Sequence, residues 1–202
     1  MEDQERSDLG RIAGFTDGVM AVAITLLVLN LEVPDVPANE LDDRLVDLIP
    51  SVLAYLLSFA LVGRFWVIHR NLFATLHRFD GTLMGLNLLF LCAIAAVPFS
   101  TDLYDKFNEE PLAVAVFGFV MGLAALTHWC MTAHTLRQGL VHDRHREATA
   151  PFGSPVALGF TGIFLLSVPV AFLSVIAAQA LWLSTILLRY PLRRLTGRTS
   201  SS

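Results

Sequence analysis

The chain reads as an all-α integral membrane protein with six transmembrane helices, and three observations predict that class. Only 16% of its 202 residues are charged, 54% are hydrophobic, and the mean hydropathy is +0.60; a soluble domain usually carries about 25% charge. The apolar residues are gathered into runs of the length a bilayer demands. The basic residues fall almost entirely on alternate connections between those runs, the bias that orients membrane proteins. No long polar stretch marks off a soluble domain, so residues 1–202 are expected to form a single six-helix unit.

The spans run approximately 12–31, 48–68, 82–100, 112–136, 155–172 and 174–190. The first follows "MEDQERSDLG", whose acidic, polar character is wrong for the basic n-region of a cleavable signal, so this span is expected to be retained. The second, third and fourth are apolar runs of crossing length. The last apolar stretch, "PVALGFTGIFLLSVPVAFLSVIAAQALWLSTILLR", is too long for one crossing. Pro169 stands where a first helix would end, which predicts two short spans.

Loop charge supports this layout. With both termini cytoplasmic, the inner segments hold Arg6, Arg11, Arg64, Arg70, Arg78, Arg137, Arg144, Arg146, Arg189, Arg193, Arg194 and Arg198. The outer ones hold only Arg44 and Lys106, a split of 12 against 2 among the 14 basic residues. An odd number of spans would put the basic tail outside. The outer connections carry Glu32, Asp35, Glu40, Asp42, Asp43, Asp47, Asp102, Asp105, Glu109 and Glu110. These acids are either ordinary solvated surface or a negative vestibule that concentrates cations. Asp143 to Pro155 is a cytoplasmic loop, and the tail after Pro191 is suited to anionic headgroups. The two halves show no repeat. Cys92 and Cys130 lie in apolar runs and read as small fillers.

The first span raises a more particular question. At about 100° per residue, Val22, Thr25, Leu26 and Leu29 form one stripe, and Asp17 points about 140° away from Val22. A carboxylate near the membrane boundary is costly unless paired or wetted. The available partners are Arg11 on its own helix, or Arg64, His69 and Arg70 at the end of span two; a simple placement near the positive end of the helix dipole is the alternative. By composition alone the stripe reads as facing lipid or packing against neighbours rather than lining a pore, since such positions need only be apolar.

"RIAGFTDGVMAVAITLLVL" resembles the signature of the transmembrane protein 175 family, endosomal and lysosomal potassium channels with shorter prokaryotic relatives. The family motif is Arg, three residues, then Phe-Ser-Asp; Arg11, Phe15, Thr16 and Asp17 occupy it here, with Thr in place of Ser. In "FWVIHRNLF", Trp66 and His69 match the tryptophan and histidine of prokaryotic members. The resemblance implies one six-helix unit per chain and a homotetramer in which the first helix of each subunit lines a central pore. It implies a constriction of apolar side chains at Val22, Leu26 and Leu29, with Thr25 as the adjoining hydroxyl linked to potassium preference. Relatives often carry isoleucine where Val22 stands, and the smaller side chain widens the ring. Arg11, Phe15, Thr16, Asp17, Trp66 and His69 become a structural motif that sets the rotation of the helix.

The implied activity is passive permeation of K⁺ and other monovalent cations across a prokaryotic plasma membrane. The expectation includes membrane lipids as surroundings, no cofactor, no metal site, no nucleic-acid partner and no catalysis. A secondary transporter is disfavoured because no acid lies near the midplane of a span; Asn87 and Gln179, the deeper polar residues, read as packing contacts. An enzyme is disfavoured because His128, His134, His142 and His145 come without a carboxylate cluster or an HExxH pattern. A non-transporting scaffold or signalling subunit is the remaining alternative.

Overall fold

The computed structural model describes residues 2–149, 153 and 158–187. Helix α1 (Glu2–Leu26) continues as a 3₁₀ turn over Leu27–Asn30. A short 3₁₀ turn (Ala38–Glu40) and α2 (Leu41–Asp47) lead into α3 (Ile49–Phe73). Then follow α4 (Gly81–Ala95), α5 (Val97–Lys106), α6 (Pro111–Arg137), α7 (Asp143–Thr149), α8 (Leu158–Ala171) and α9 (Val175–Leu187). Among the described residues there is no strand, only an isolated antiparallel bridge between Leu76 and Val141.

Prolines punctuate this order. Pro50, Pro98 and Pro111 sit in the first turns of α3, α5 and α6, where a missing N–H costs nothing. Pro98 also explains why the expected third span, 82–100, is broken: the helix turns at Ala96 and restarts as α5, because proline cannot bond back to the preceding turn. Pro169 lies inside α8, and the helix ends two residues later at Ala171. The Leu173 and Ser174 N–H groups both bond to the Val170 carbonyl, and Ser174 Oγ accepts from the Ala177 N–H at 3.2 Å to start α9. The expected division of the last apolar stretch is thus a tight helix-to-helix turn.

Four segments are long and apolar enough to cross a bilayer: Leu9–Asn30, Ile49–Phe73, Gly81–Lys106 and Pro111–Arg137. The 14 residues of α8 and 13 of α9 would reach about 21 and 20 Å at 1.5 Å per residue, short of a core of about 30 Å. The first residues of the expected fifth span and the last of the sixth lie outside the described residues, as do Arg189, Arg193, Arg194 and Arg198.

The core forms around α6, of whose best crossing window 67% is buried, against 22% for α1. Gly118 and Gly122, one turn apart on α6, admit α8: a Cβ on Gly118 would strike Ser167 Oγ, and one on Gly122 would lie 2.6 Å from Leu165 Cδ2. This is the small-xxx-small packing of membrane helices. Trp182 of α9 closes the layer, its Nε1–H donating to Ser167 Oγ at 2.9 Å and its ring 4.9 Å from that of Phe117.

One end of the bundle is fastened by loops. α6 stops at Gly139, whose φ of +63° lets the Leu140 N–H reach back to the Thr135 carbonyl at 2.9 Å, a glycine-dependent helix stop. The released segment then pairs with the α3–α4 connection: the His77 N–H donates to the Leu140 carbonyl (3.0 Å) and the His142 N–H to the Thr75 carbonyl (2.9 Å). Beside it, Asp80 caps α4 by accepting from the Leu83 N–H at 2.7 Å and meets His134 Nε2 at 2.7 Å. Partial burial pushes the Asp80 carboxyl upward, but the Leu83 N–H, His134 and the Thr82 N–H outweigh it and hold it below the ordinary carboxylate value.

Candidate pore-lining face of the first helix

The two faces of α1 have opposite fates. Thr16, Met20, Ala23 and Leu27 recur at helical spacing and are buried against the bundle. Phe15, Val22, Leu26 and Leu29 lie on the other side and are 58%, 57%, 42% and 71% exposed. A groove of about 420 Å³ runs along this exposed face, lined by Phe15, Gly18, Val22, Leu26 and Ala95 among others. Thr25 is exposed as well, and its hydroxyl donates to the Val22 carbonyl at 2.9 Å. Its proton is thereby spent, so the oxygen has only lone pairs to offer to whatever faces it.

The rotation of α1 is fixed by side chains from α3 and α4. The Trp66 Nε1–H donates to Asp17 Oδ1 at 2.8 Å. One position earlier on α1, Thr16 is fully buried and accepts from Asn87 Nδ2 at 3.1 Å, while Asn87 Oδ1 meets His69 Nε2 at 2.9 Å. The His69 ring is stacked between Phe73 and Phe90, with centroids 4.2 and 5.2 Å away. Three helices are therefore tied through two adjacent residues of α1. The two bonds of Asn87 are buried, and in a bilayer such bonds are hard to exchange for others, since no water competes for the same groups.

The expected partners of Asp17 are corrected. Among the described residues Asp17 forms no ion pair with Arg11, Arg64, His69 or Arg70. Arg11 lies six residues upstream, about 240° round the helix, and instead lines a separate groove of about 720 Å³ with Phe15, Phe79 and Asn87 among others. The Arg64 guanidinium sits 4.7 Å above the Phe160 ring and that of Arg70 lies 5.6 Å from the Trp66 ring. His69 points at Asn87. Trp66, which sequence alone marked as a motif match, is the group that holds the carboxylate.

Asn87, read from sequence as a packing contact, is the link between Thr16 and His69. The available signal was the cost of an amide in an otherwise apolar helix: 1% exposed, it must have partners. A second difference lies at the other end of α1. The stripe was drawn on a continuous α-helix, but the backbone tightens to 3₁₀ after Leu26. Three residues make one turn in that geometry, which brings Leu26 and Leu29 into line. Among the described residues no group of three or more His, Cys, Asp or Glu side chains is placed to hold a metal.

Known proteins are similar to this chain along most of its length. A potassium channel of Streptomyces collinus is 38% identical over 176 residues, covering 83% of this chain and 84% of the relative. The family model described as the endosomal/lysosomal potassium channel TMEM175 matches residues 11–98, which take in most of α1 and all of α3 and α4. The chain belongs to the TMEM175 family. A potassium channel of Chamaesiphon minutus is 33% identical over 192 residues, 91% of each chain. The crystal structure of a lysosomal potassium-selective TMEM175 homologue from Chamaesiphon minutus superposes with a TM-score of 0.73 at 31% identity, covering 93% of this chain and 98% of that one. The endosomal/lysosomal proton channel TMEM175 of Homo sapiens is 28% identical over 109 residues, 53% of this chain and 22% of that protein. As a member of TMEM175, the chain is an all-α membrane protein.

Proposed function

We propose that the chain is a passive, potassium-permeable cation channel whose conduction path is lined by the exposed face of α1 in a homotetramer. The observation that carries this reading is the division of α1: its buried face is locked by directed polar bonds, while an apolar stripe with one hydroxyl is left without cover inside the subunit. The potassium channels named among its relatives add support. One unit of six crossings, with α8 and α9 as the two short ones and both termini on the cytoplasmic side of a prokaryotic plasma membrane, fits the loop charges.

In this reading Val22, Leu26 and Leu29 from four subunits form stacked apolar rings. Such rings oppose hydrated ions by dewetting and conduct when widened. Thr25, with its proton committed to the Val22 carbonyl, offers oxygen lone pairs that replace part of the hydration shell of K⁺. Arg11, Phe15, Thr16, Asp17, Trp66 and His69 orient the helix and bind no ion. The function requires no cofactor and no catalytic step.

The test is purified protein in liposomes with a K⁺ gradient, read by flux and single-channel recording. A passive, cation-selective current is expected, altered several-fold by Leu26→Ala or Leu29→Ala. Saturable, substrate-coupled flux without unitary current would instead identify a carrier. Absence of flux would leave a scaffold.

A further inference from the structure

We propose that Asn30 is the positioning residue of the outer constriction, holding Leu29 on the pore axis through its hydrogen bond to the Pro98 carbonyl. The inference rests on the pore-lining role of Leu26 and Leu29 proposed above.

The outer end of α1 has little intrinsic hold on its conformation. After Leu26 the backbone is a single 3₁₀ turn, and at Leu31 it becomes extended, with φ −89° and ψ 95°. A short 3₁₀ segment is bonded less well than an α-helix. Three residues separate Leu26 from Leu29, so reversion of the turn to α geometry would swing Leu29 by about 60° and draw it back by about 1.5 Å. Those displacements are large on the scale of an apolar ring, so something must select the 3₁₀ form.

Two side chains of the turn reach the bundle. Leu27 is fully buried and anchors the turn without fixing its pitch, since apolar packing is non-directional. Asn30 supplies the direction: its Nδ2–H donates to the Pro98 carbonyl at 3.0 Å, in a half-buried setting. Pro98 is a firm point of attachment, because it stands in the first turn of α5, directly after the break at Ala96. α5 is in turn pinned to α3 by the Thr101 hydroxyl, which donates to Ser58 Oγ at 2.9 Å. A further side-chain tie near the turn is the Lys106–Glu32 pair at 3.5 Å, with side chains 51% and 77% exposed; such a pair contributes little. The proline break of the third span thus sets the pitch at Leu29 by way of Asn30.

The experiment compares Asn30→Ala, Asn30→Asp, Leu29→Ala and the Leu29→Ala/Asn30→Ala double variant of the full-length chain in K⁺-loaded liposomes, reading K⁺ flux and the K⁺ to Na⁺ permeability ratio. Asn30→Asp keeps the shape and removes the donor, and it decides the matter if Asn30→Ala does not assemble. Both Asn30 variants are expected to change K⁺ flux by roughly five-fold, the factor one ordinary hydrogen bond contributes to a conformational equilibrium, and to shift the permeability ratio. Asn30→Ala is expected to add nothing further once Leu29 is alanine. Wild-type behaviour of both Asn30 variants, or additive effects in the double variant, would overturn the proposal while leaving the constriction intact. If Leu29→Ala itself changes nothing, the constriction reading falls and the role of Asn30 falls with it.

Discussion

The inner and outer halves of the first helix, as the proposed topology places them, are built on different principles. From Thr16 to Asp17 the helix is held by hydrogen bonds to Asn87 and Trp66, each of which has a required direction and length. From Val22 to Leu29 the exposed positions carry apolar side chains and one threonine that bonds only to its own backbone. Directed bonds fix how far a helix is rotated, whereas an apolar stripe merely occupies whatever lies in front of it. The difference teaches that the rotation of the helix is set at Thr16 and Asp17, away from the exposed apolar stripe, so the proposed pore-facing side chains can vary in size without loosening that hold.

Substitutions in the two halves should therefore separate stability from conduction. The largest loss of stability is expected for Asn87→Ala, which removes two buried hydrogen bonds and strands Thr16 and His69; a loss of about 1–3 kcal/mol is anticipated, measurable by unfolding in detergent. A variant of unchanged stability would mean that the inner half is held by packing alone. Next comes Trp66→Phe, which keeps an aromatic side chain but replaces the indole with a smaller ring and deletes the donor to Asp17, for a loss of roughly 0.6–1.7 kcal/mol from the hydrogen bond.

Asp80→Ala serves as a control away from α1. Loss of the α4 cap should cost about 1 kcal/mol near neutral pH. Because the folded Asp80 carboxyl is held below its ordinary value of 3.8, its contribution is complete above that value and is lost as pH falls through the lower, folded one. The gap between wild type and Asp80→Ala should accordingly close on strong acidification; a gap that persists would show that the cap acts without its charge. The smallest effect on stability belongs to Val22→Ala, within about 0.5 kcal/mol for an exposed position, although ion flux should rise as the ring widens. A large loss of stability there would place Val22 in a packed interface rather than at the pore.

Much of the architecture was legible because bilayer length and loop charge are strong constraints on sequence. The first four expected spans overlap the four segments that are long and apolar enough to cross a bilayer, and the turn after Pro169 follows from a residue that cannot continue a helix. The split of the third span at Ala96 was not read, since a proline near the end of an apolar run looks the same whether the helix bends or stops. Within the site, the stripe was legible from helical period alone, and its exposure in the subunit agrees with that spacing. The partner of Asp17 was missed for a chemical reason: charge invites a search for opposite charge, but the donor is a neutral indole. Asn87 was missed because a lone amide carries no periodicity, and its meaning depends on which two helices it lies between.

The bridge between Leu76 and Val141 bears on how the chain is assembled. It closes a loop of 141 − 76, or 65, residues that contains α4, α5 and α6. The pairing cannot form until α6 has reached its final depth and Gly139 has turned the chain back toward the end of α3. A ribosome-bound intermediate with only the first three spans inserted therefore lacks the clasp and retains freedom in the α3–α4 connection. Because closure entropy grows only with the logarithm of loop length, the delay costs little free energy. It makes completion of α6 the step after which the α3–α4 connection is held in place.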